Sequence, residues 1–210
     1  MNLSPSRPLI YLISDGSITD ESFNERSAEL LRLIDAAVRF RVPLVQIREK
    51  DLSGRNLFDL SSRAVAKTRG SVTRLLINDR LDVAMASGAD GVHLTSKSFG
   101  ADAVRRVAPD GFVIGVSTHN VEEIERAKIG GADFAVFGTV YESPGKVSAI
   151  GLDLLTNAIE SAGAFPILAL GGIDGTNYRE ALSIGAAGFA AIRFLNNVAN
   201  LEMLSKEFDV

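Results

Sequence analysis

The feature that most constrains the fold is a regular alternation of short apolar runs with longer amphipathic segments. Most of the short runs are almost continuously apolar, which favours parallel strands buried on both faces over half-exposed antiparallel strands. The eight predicted strands are Pro8–Ser14, Pro43–Ile47, Arg74–Ile77, Gly91–Leu94, Phe112–Val116, Phe134–Gly138, Ile167–Leu170 and Gly188–Ile192.

The segments between these strands have helical spacing. Ser27–Phe40 repeats its apolar residues at intervals of three and four, and Asn120–Ile129 does so directly after His119. Eight alternating βα units in 210 residues predict a compact (β/α)8 TIM barrel, an α/β fold, without a linker, so we expect a single domain over residues 1–210. A doubly wound open sheet is the alternative, but it usually carries G-x-G-x-x-G after its first strand, where this chain has Asp15–Gly16–Ser17.

Composition excludes several classes of protein. The net charge of −4 indicates no basic face for nucleic acid. Cysteine is absent, which excludes disulfides, thiol nucleophiles and cysteine-based metal sites. The N-terminal apolar run of about six residues is too short for a signal sequence or a membrane span. We therefore expect a cytoplasmic protein that binds neither nucleic acid nor membrane.

A Gly-Ala pair precedes three of the predicted strands. The repeated blocks are GADGVHL (88–94), GADFAVFG (131–138) and GAAGFAAI (185–192). They predict a recurring helix-to-strand turn in which glycine ends the helix with a positive φ.

The second predicted strand runs into polar residues, and in barrels of this kind the active site follows the carboxyl ends of the strands. These residues are Gln46, Arg48 and Lys50. If the strand continues through Lys50, its alternation aims both cations the same way, which suits a diphosphate. The alternative is a solvated run of loop charges.

The third predicted strand ends in Asn78 and Asp79. An amide and a carboxylate at a strand end suit a hard cation such as Mg²⁺, which usually shares substrate phosphates. The alternative is that Asp79 caps a helix over Leu81–Ala86.

The two histidines of the chain both lie near predicted strand ends. His119 is either a general acid or base near neutral pH, or a residue that only packs at the start of a helix. His93 lies inside an apolar strand, which favours a hydrogen-bonded structural role.

A long loop, Gly138–Gly151, follows the sixth predicted strand and holds Ser143 and Lys146. Long loops in compact barrels are often functional, so the loop predicts an anion-binding lid. A solvated surface loop is the alternative.

The seventh and eighth predicted strands end in Gly171-Gly172 and Ile192-Arg193. Backbone N–H groups in these two loops often bind phosphate in such barrels. The alternative for the glycines is a tight turn that requires a positive φ.

Eight sequence blocks resemble the thiamine phosphate synthases and the related thiazole tautomerases, in the order and spacing of that family. They are YLISD, VQIREK, INDRLDVA, GADGVHL, GVSTHN, GADFAVFGTVY…GK, LALGGI and GAAGFAAI, and they span nearly the whole chain. The resemblance implies a Mg²⁺-dependent enzyme that joins an aminopyrimidine diphosphate to a thiazole phosphate and releases pyrophosphate. It further implies a dissociative mechanism and small-molecule partners, and a homodimer is common in this family.

The resemblance also implies residue roles. By this resemblance, the pyrimidine diphosphate is held by Gln46, Arg48, Lys50 and Asn78, and Mg²⁺ is bound by Asp79. Ser117 contacts the leaving group, Lys146 neutralises pyrophosphate, and Ser143 keeps one loop hydroxyl. His119 aligns with the histidine that tautomerases use, and the thiazole phosphate site is formed by Gly172, Ile192 and Arg193.

Some positions depart from the pattern of the synthases. Ser98 stands where they usually have the aspartate that is the second metal carboxylate, Glu142 and Gly145 replace a proline and a threonine of the loop, and Arg193 replaces a serine. These departures leave two alternatives, a metal-independent thiazole tautomerase and a non-catalytic barrel that binds thiamine precursors. Arg48, Lys50, Asn78 and Asp79 together favour the synthase, because a tautomerase has no diphosphate to hold.

Overall fold

The computed structural model describes residues 7–143 and 149–208 and confirms the predicted (β/α)8 TIM barrel. Its eight parallel strands close in sequence order, and a helix follows each of them. The strands are β1 (Leu9–Ile13), β2 (Leu44–Ile47), β3 (Arg74–Asn78), β4 (Gly91–Leu94), β5 (Val113–Thr118), β6 (Phe134–Phe137), β7 (Ile167–Leu170) and β8 (Gly188–Ala191). The helices are α1 (Phe23–Arg39), α2 (Gly54–Thr68), α3 (Leu81–Ser87), α4 (Ala101–Arg105), α5 (Val121–Ile129), α6 (Gly151–Ala162), α7 (Tyr178–Ser183) and α8 (Val198–Phe208). Among these helices, none is long and apolar enough to cross a membrane.

The first helix begins earlier than its periodicity predicted, at Phe23 rather than Ser27. The carbonyl of Ser22, at the N-cap, accepts the Arg26 N–H at 3.0 Å. Phe23 is only 8% exposed and therefore extends the buried stripe to the start of α1. Three polar residues separate it from Ser27, which is why the apolar spacing alone did not include it.

The chain divides into two compact units. Of the described residues, the first comprises 7–10, 93–143 and 149–191, and the second comprises 11–92 and 192–208. In the first unit β5, β6, β7 and β8 pair in that order, and in the second β1, β2 and β3 pair. The single domain expected over the whole chain stays a prediction.

The predicted Gly-Ala turns are confirmed, since Gly88, Gly131 and Gly185 have φ values of 74°, 82° and 98°.

In two of these turns an aspartate also binds the preceding strand. The carboxylate of Asp90 accepts the N–H of Leu75 at 2.9 Å and a guanidinium N–H of Arg74 at 2.8 Å. Asp133 accepts the N–H of Ile114 and a guanidinium N–H of Arg105, each at 2.7 Å. These carboxylates hold β3 and β5 at their amino ends, away from the ends that carry the candidate site.

Candidate active site

The ends of β2 and β3 bring two predicted ligand residues together. Gln46 is buried, and its Nε2 donates a hydrogen bond to Oδ1 of Asn78 at 3.1 Å. The strands pair in register up to Ile47 and Ile77, which places the two amides on neighbouring strands. This bond fixes the orientation of both side chains, because an amide oxygen accepts and an amide nitrogen donates.

The cations after β2 do not lie on a continued strand, because β2 ends at Ile47. Exposure nevertheless alternates along the segment that follows. Arg48 is half-buried, Glu49 is buried and Lys50 is exposed. Arg48 and Lys50 are therefore both more accessible than the carboxylate between them. The strand does not continue through Lys50, however, so strand alternation does not aim the two cations in one direction.

Glu49 is a site residue that the sequence did not predict. Its Oε1 accepts the Ser14 hydroxyl at 2.5 Å and the Gly16 N–H at 3.2 Å, and its Oε2 accepts the Ile18 N–H at 2.9 Å. A single carboxylate thus holds the loop between β1 and α1. The only sequence signal was an acidic residue between two cations of a predicted anion site.

Asp79 is exposed at the end of β3 and has a φ of 62°, in the left-handed region. The predicted alternative, that Asp79 caps the following helix, is wrong because Arg80 is the N-cap residue of α3. The Arg80 guanidinium instead donates two hydrogen bonds to Asp82, at 2.8 and 2.6 Å. The hydrogen bond from Arg80 holds the pKa of the Asp82 carboxyl below its usual value.

The ends of β4 and β5 meet at a histidine and a serine. His93 Nε2 lies 2.9 Å from the Ser117 hydroxyl, and His93 is only 3% exposed, which confirms its predicted hydrogen-bonded role. Gly115 makes room for this ring, since a Cβ there would lie 2.9 Å from His93 Nδ1 and 2.5 Å from Phe134 Cζ. The hydrogen bond to His93 thereby fixes the orientation of Ser117, a predicted contact of the leaving group.

His119 lies at the start of α5, bound to Glu123. One oxygen of Glu123 accepts the His119 backbone N–H at 2.7 Å and lies 3.1 Å from His119 Nδ1. Asn120 caps the helix by accepting the Glu123 N–H at 2.9 Å. Partial burial acts to raise the pKa of Glu123, but the hydrogen bonds from His119 and Asn120 outweigh it and lower that pKa. His119 is thus oriented at its Nδ1 edge, and its role as an acid or base stays a prediction.

Ser98 closes a turn after β4. Its hydroxyl accepts the Thr95 N–H at 2.7 Å, and its own N–H donates to the Thr95 carbonyl at 3.0 Å. Ser98 and Ser117 also line one cleft of about 570 Å³. Ser98 therefore stabilises the loop, and it brings a hydroxyl to a position where the resemblance expected a carboxylate.

The two glycines after β7 support a tight turn under the β6–α6 loop. Gly171 and Gly172 have φ values of 99° and 65°, so the predicted requirement for a positive φ is confirmed. A Cβ at Gly171 would lie 2.5 Å from Thr139 Cγ2, and one at Gly172 would lie 2.5 Å from the Glu142 carbonyl oxygen. The Tyr141 N–H donates to the Gly171 carbonyl at 3.0 Å. The loop of the candidate lid therefore packs directly on these glycines.

The structure describes only one of the two predicted residues of the candidate lid. Ser143 is half-buried at the end of the packed part of the loop, whereas Lys146 lies outside the described residues.

Asn196 joins Ile192 to the end of β1. Its Nδ2 donates to the carbonyl oxygens of Ile13 and Ile192, each at 2.7 Å. Ile192 is half-buried and Arg193 is exposed. The predicted phosphate-binding residues of this loop thus lie on a connection fixed by a side-chain amide.

The candidate metal site is sparse in carboxylates. Within residues 7–143 and 149–208, no group of three or more His, Cys, Asp or Glu side chains is arranged to hold a metal ion. Asp79 is the described carboxylate that the sequence assigned to Mg²⁺. A single carboxylate suits Mg²⁺ when substrate phosphates and water provide the other ligands.

A (β/α)8 barrel with amides, cations and a carboxylate at the carboxyl ends of its strands belongs to the class of barrel enzymes that bind small ligands at that end. The chain matches the family described as Thiamine monophosphate synthase over residues 11–195, and it belongs to that family.

Individual relatives agree with this assignment. A protein of Geobacter sulfurreducens is 40% identical over 186 residues, which are 87% of this chain and 84% of the relative. The thiamine-phosphate synthase of Roseiflexus castenholzii is 35% identical over 189 residues, 89% of this chain and 80% of its own. The solved structure of thiamine phosphate pyrophosphorylase from Pyrococcus furiosus has a TM-score of 0.75 at 27% identity, covering 95% of this chain and 96% of that one.

Proposed function

We propose that the protein is a thiamine-phosphate synthase, a transferase that couples hydroxymethylpyrimidine diphosphate with thiazole phosphate to give thiamine phosphate and pyrophosphate. The observation that carries the proposal is the family match over residues 11–195, together with the paired amides at the carboxyl ends of β2 and β3 and the two cations that follow β2. A relative named thiamine-phosphate synthase at 35% identity over most of the chain supports it.

The diphosphate residues are Gln46, Arg48, Lys50 and Asn78. Arg48 offers a planar fork of donors that matches two phosphate oxygens, and Lys50 adds an exposed point charge. The hydrogen bond between Gln46 and Asn78 holds both amides in one orientation before any ligand arrives. Such preorganised donors stabilise charge without the cost of reorienting during the reaction.

Asp79 is the residue that would hold Mg²⁺ with the diphosphate. Its exposed carboxylate fits a cation that takes most of its ligands from phosphate and water. When bound, Mg²⁺ would neutralise charge on the departing pyrophosphate. The Ser98 hydroxyl replaces the second carboxylate of the family pattern, so we expect weaker metal binding than two carboxylates would give.

The reaction needs charge stabilisation and positioning more than proton transfer, because the C–O bond to pyrophosphate breaks before the thiazole nitrogen attacks. Ser117, oriented by His93, is proposed to contact the leaving pyrophosphate, and Lys146 to neutralise it. Ser143, Gly172, Ile192 and Arg193 are proposed to bind the thiazole phosphate. His119 is proposed to lie beside the reacting groups, with its Nδ1 edge held by Glu123.

The test is pyrophosphate release from hydroxymethylpyrimidine diphosphate and thiazole phosphate, with and without Mg²⁺. Release that depends on both the thiazole and the metal is the expected result. No release from folded protein would contradict the proposal. Conversion of a thiazole carboxylate phosphate without metal would then identify a tautomerase, and His119→Asn would be the variant to make next. A sedimentation experiment on the same protein tests the expected homodimer.

A further inference from the structure

Glu49 stands out because it is a buried carboxylate that the proposed reaction does not use. It is 4% exposed, and all three of its described donors come from residues 14–18, more than thirty positions earlier in the chain. A buried carboxylate is costly unless hydrogen bonds satisfy it, so these contacts have to persist in the folded protein.

The contacts of Glu49 reach Arg48 by two routes. The Ser14 hydroxyl, which donates to Glu49, also accepts the backbone N–H of Arg48 at 2.8 Å. Gly16, whose N–H donates to Glu49, lies against the side chain of Arg48, because a Cβ at Gly16 would lie 3.3 Å from the Arg48 guanidinium. Both the backbone and the side chain of Arg48 therefore rest on groups that Glu49 holds.

We propose that Glu49 is the positioning residue of the diphosphate site, fixing Arg48 through Ser14 and Gly16; this inference rests on the proposed function. Glu49 acts through Arg48 rather than by touching the ligand, because its own carboxylate is buried. It serves binding of the pyrimidine diphosphate and has no direct part in binding the thiazole phosphate.

Replacing the carboxylate by an amide leaves the size of the side chain unchanged but makes its hydrogen bonds incompatible. In Glu49→Gln one oxygen becomes an NH₂ donor that faces either the Ile18 N–H or the Ser14 and Gly16 donors. A buried donor facing a donor loses its hydrogen bond. The Ser14–Ile18 loop and Arg48 should then move together.

The experiment compares three full-length variants. Glu49→Gln should raise KM for hydroxymethylpyrimidine diphosphate about tenfold, equivalent to about 1.4 kcal/mol, and leave KM for thiazole phosphate within about twofold. Ser14→Ala should give a smaller shift of the same kind, since it removes the hydroxyl that joins Glu49 to the Arg48 backbone but leaves the Gly16 and Ile18 donors of Glu49 in place. The matched control is Asp90→Asn, which removes another carboxylate that accepts a backbone N–H. It should lower the melting temperature and leave the ratio of the two KM values unchanged.

Calorimetric binding of inorganic pyrophosphate tests the inference without turnover. Affinity should fall in Glu49→Gln and persist in Asp90→Asn. A Glu49→Gln protein that binds pyrophosphate as tightly as the wild type, or that weakens both substrates equally, would overturn the proposal, as would a wild type that binds no pyrophosphate. Failure of the proposed function would look different: no thiamine phosphate would form, although the wild type bound pyrophosphate and Glu49→Gln bound it less tightly.

Discussion

Gly171→Ala tests whether the turn after β7 requires glycine because of the loop that packs on it. The new Cβ would lie 2.5 Å from Thr139 Cγ2 and 2.7 Å from Thr139 Cα, so the loop or the turn has to move. Relieving such overpacking costs roughly 1–3 kcal/mol. A φ of 99° adds roughly 1–2 kcal/mol for a residue with a Cβ.

The total loss in the free energy of unfolding is therefore roughly 2–5 kcal/mol, or a fall of roughly 10 °C in melting temperature for a protein of this size. Gly70→Ala is the matched control, because Gly70 also has a positive φ, of 78°, but a Cβ there meets nothing within 4 Å. It should lose only the cost of the positive φ, roughly 1–2 kcal/mol.

Urea unfolding of both variants gives the two losses directly. Gly171→Ala should also raise KM for thiazole phosphate, since Ser143 follows the displaced part of the loop. Equal losses in the two variants would refute the packing argument and leave backbone conformation as the only reason for glycine at this turn.

Asp79→Ala should abolish Mg²⁺-dependent turnover, whereas Asp82→Ala, which removes an exposed carboxylate of the next turn, should retain it; activity in the first variant would remove Asp79 from the metal site. Lys146→Ala should slow the chemical step in single-turnover experiments more than it weakens thiazole binding, and an unchanged single-turnover rate would exclude Lys146 from the mechanism. Glu123→Gln should lower stability at neutral pH by removing the carboxylate that His119 binds. Because the pKa of Glu123 is lowered in the folded state, its contribution is present above its ordinary value of 4.5 and is lost as the pH falls through the folded value. Urea midpoints of wild type and Glu123→Gln should therefore converge in acid, and a constant difference would contradict this assignment.

The strands could be predicted because strands buried on both faces leave an almost continuous apolar signature. All eight are present, with ends shifted by at most two residues. The short helices α4 and α7, of five and six residues, are too brief for periodicity to define. Capping was also hard to predict: Asp79 was a candidate cap, but the N-cap residue of α3 is Arg80.

The candidate site was predictable where a residue follows a strand and less so where a role depends on distant contacts. Gln46 and Asn78 were expected at neighbouring strand ends, and they are hydrogen-bonded there. In the sequence, Glu49 looks like one more charge in a charged run. Its hydrogen bond partner Ser14 lies 35 positions earlier. No local pattern encodes such a contact.

Asp90 and Asp133 hold the amino ends of β3 and β5, away from the ends that carry the candidate site. These carboxylates bind strand amides and arginines, so both partners of each bond belong to the protein. The register of these strands is therefore secured independently of whatever the opposite ends hold. We therefore expect substitutions at the carboxyl ends of the strands, Ser98→Asp among them, to leave the amino-end hydrogen bonds of β3 and β5 intact.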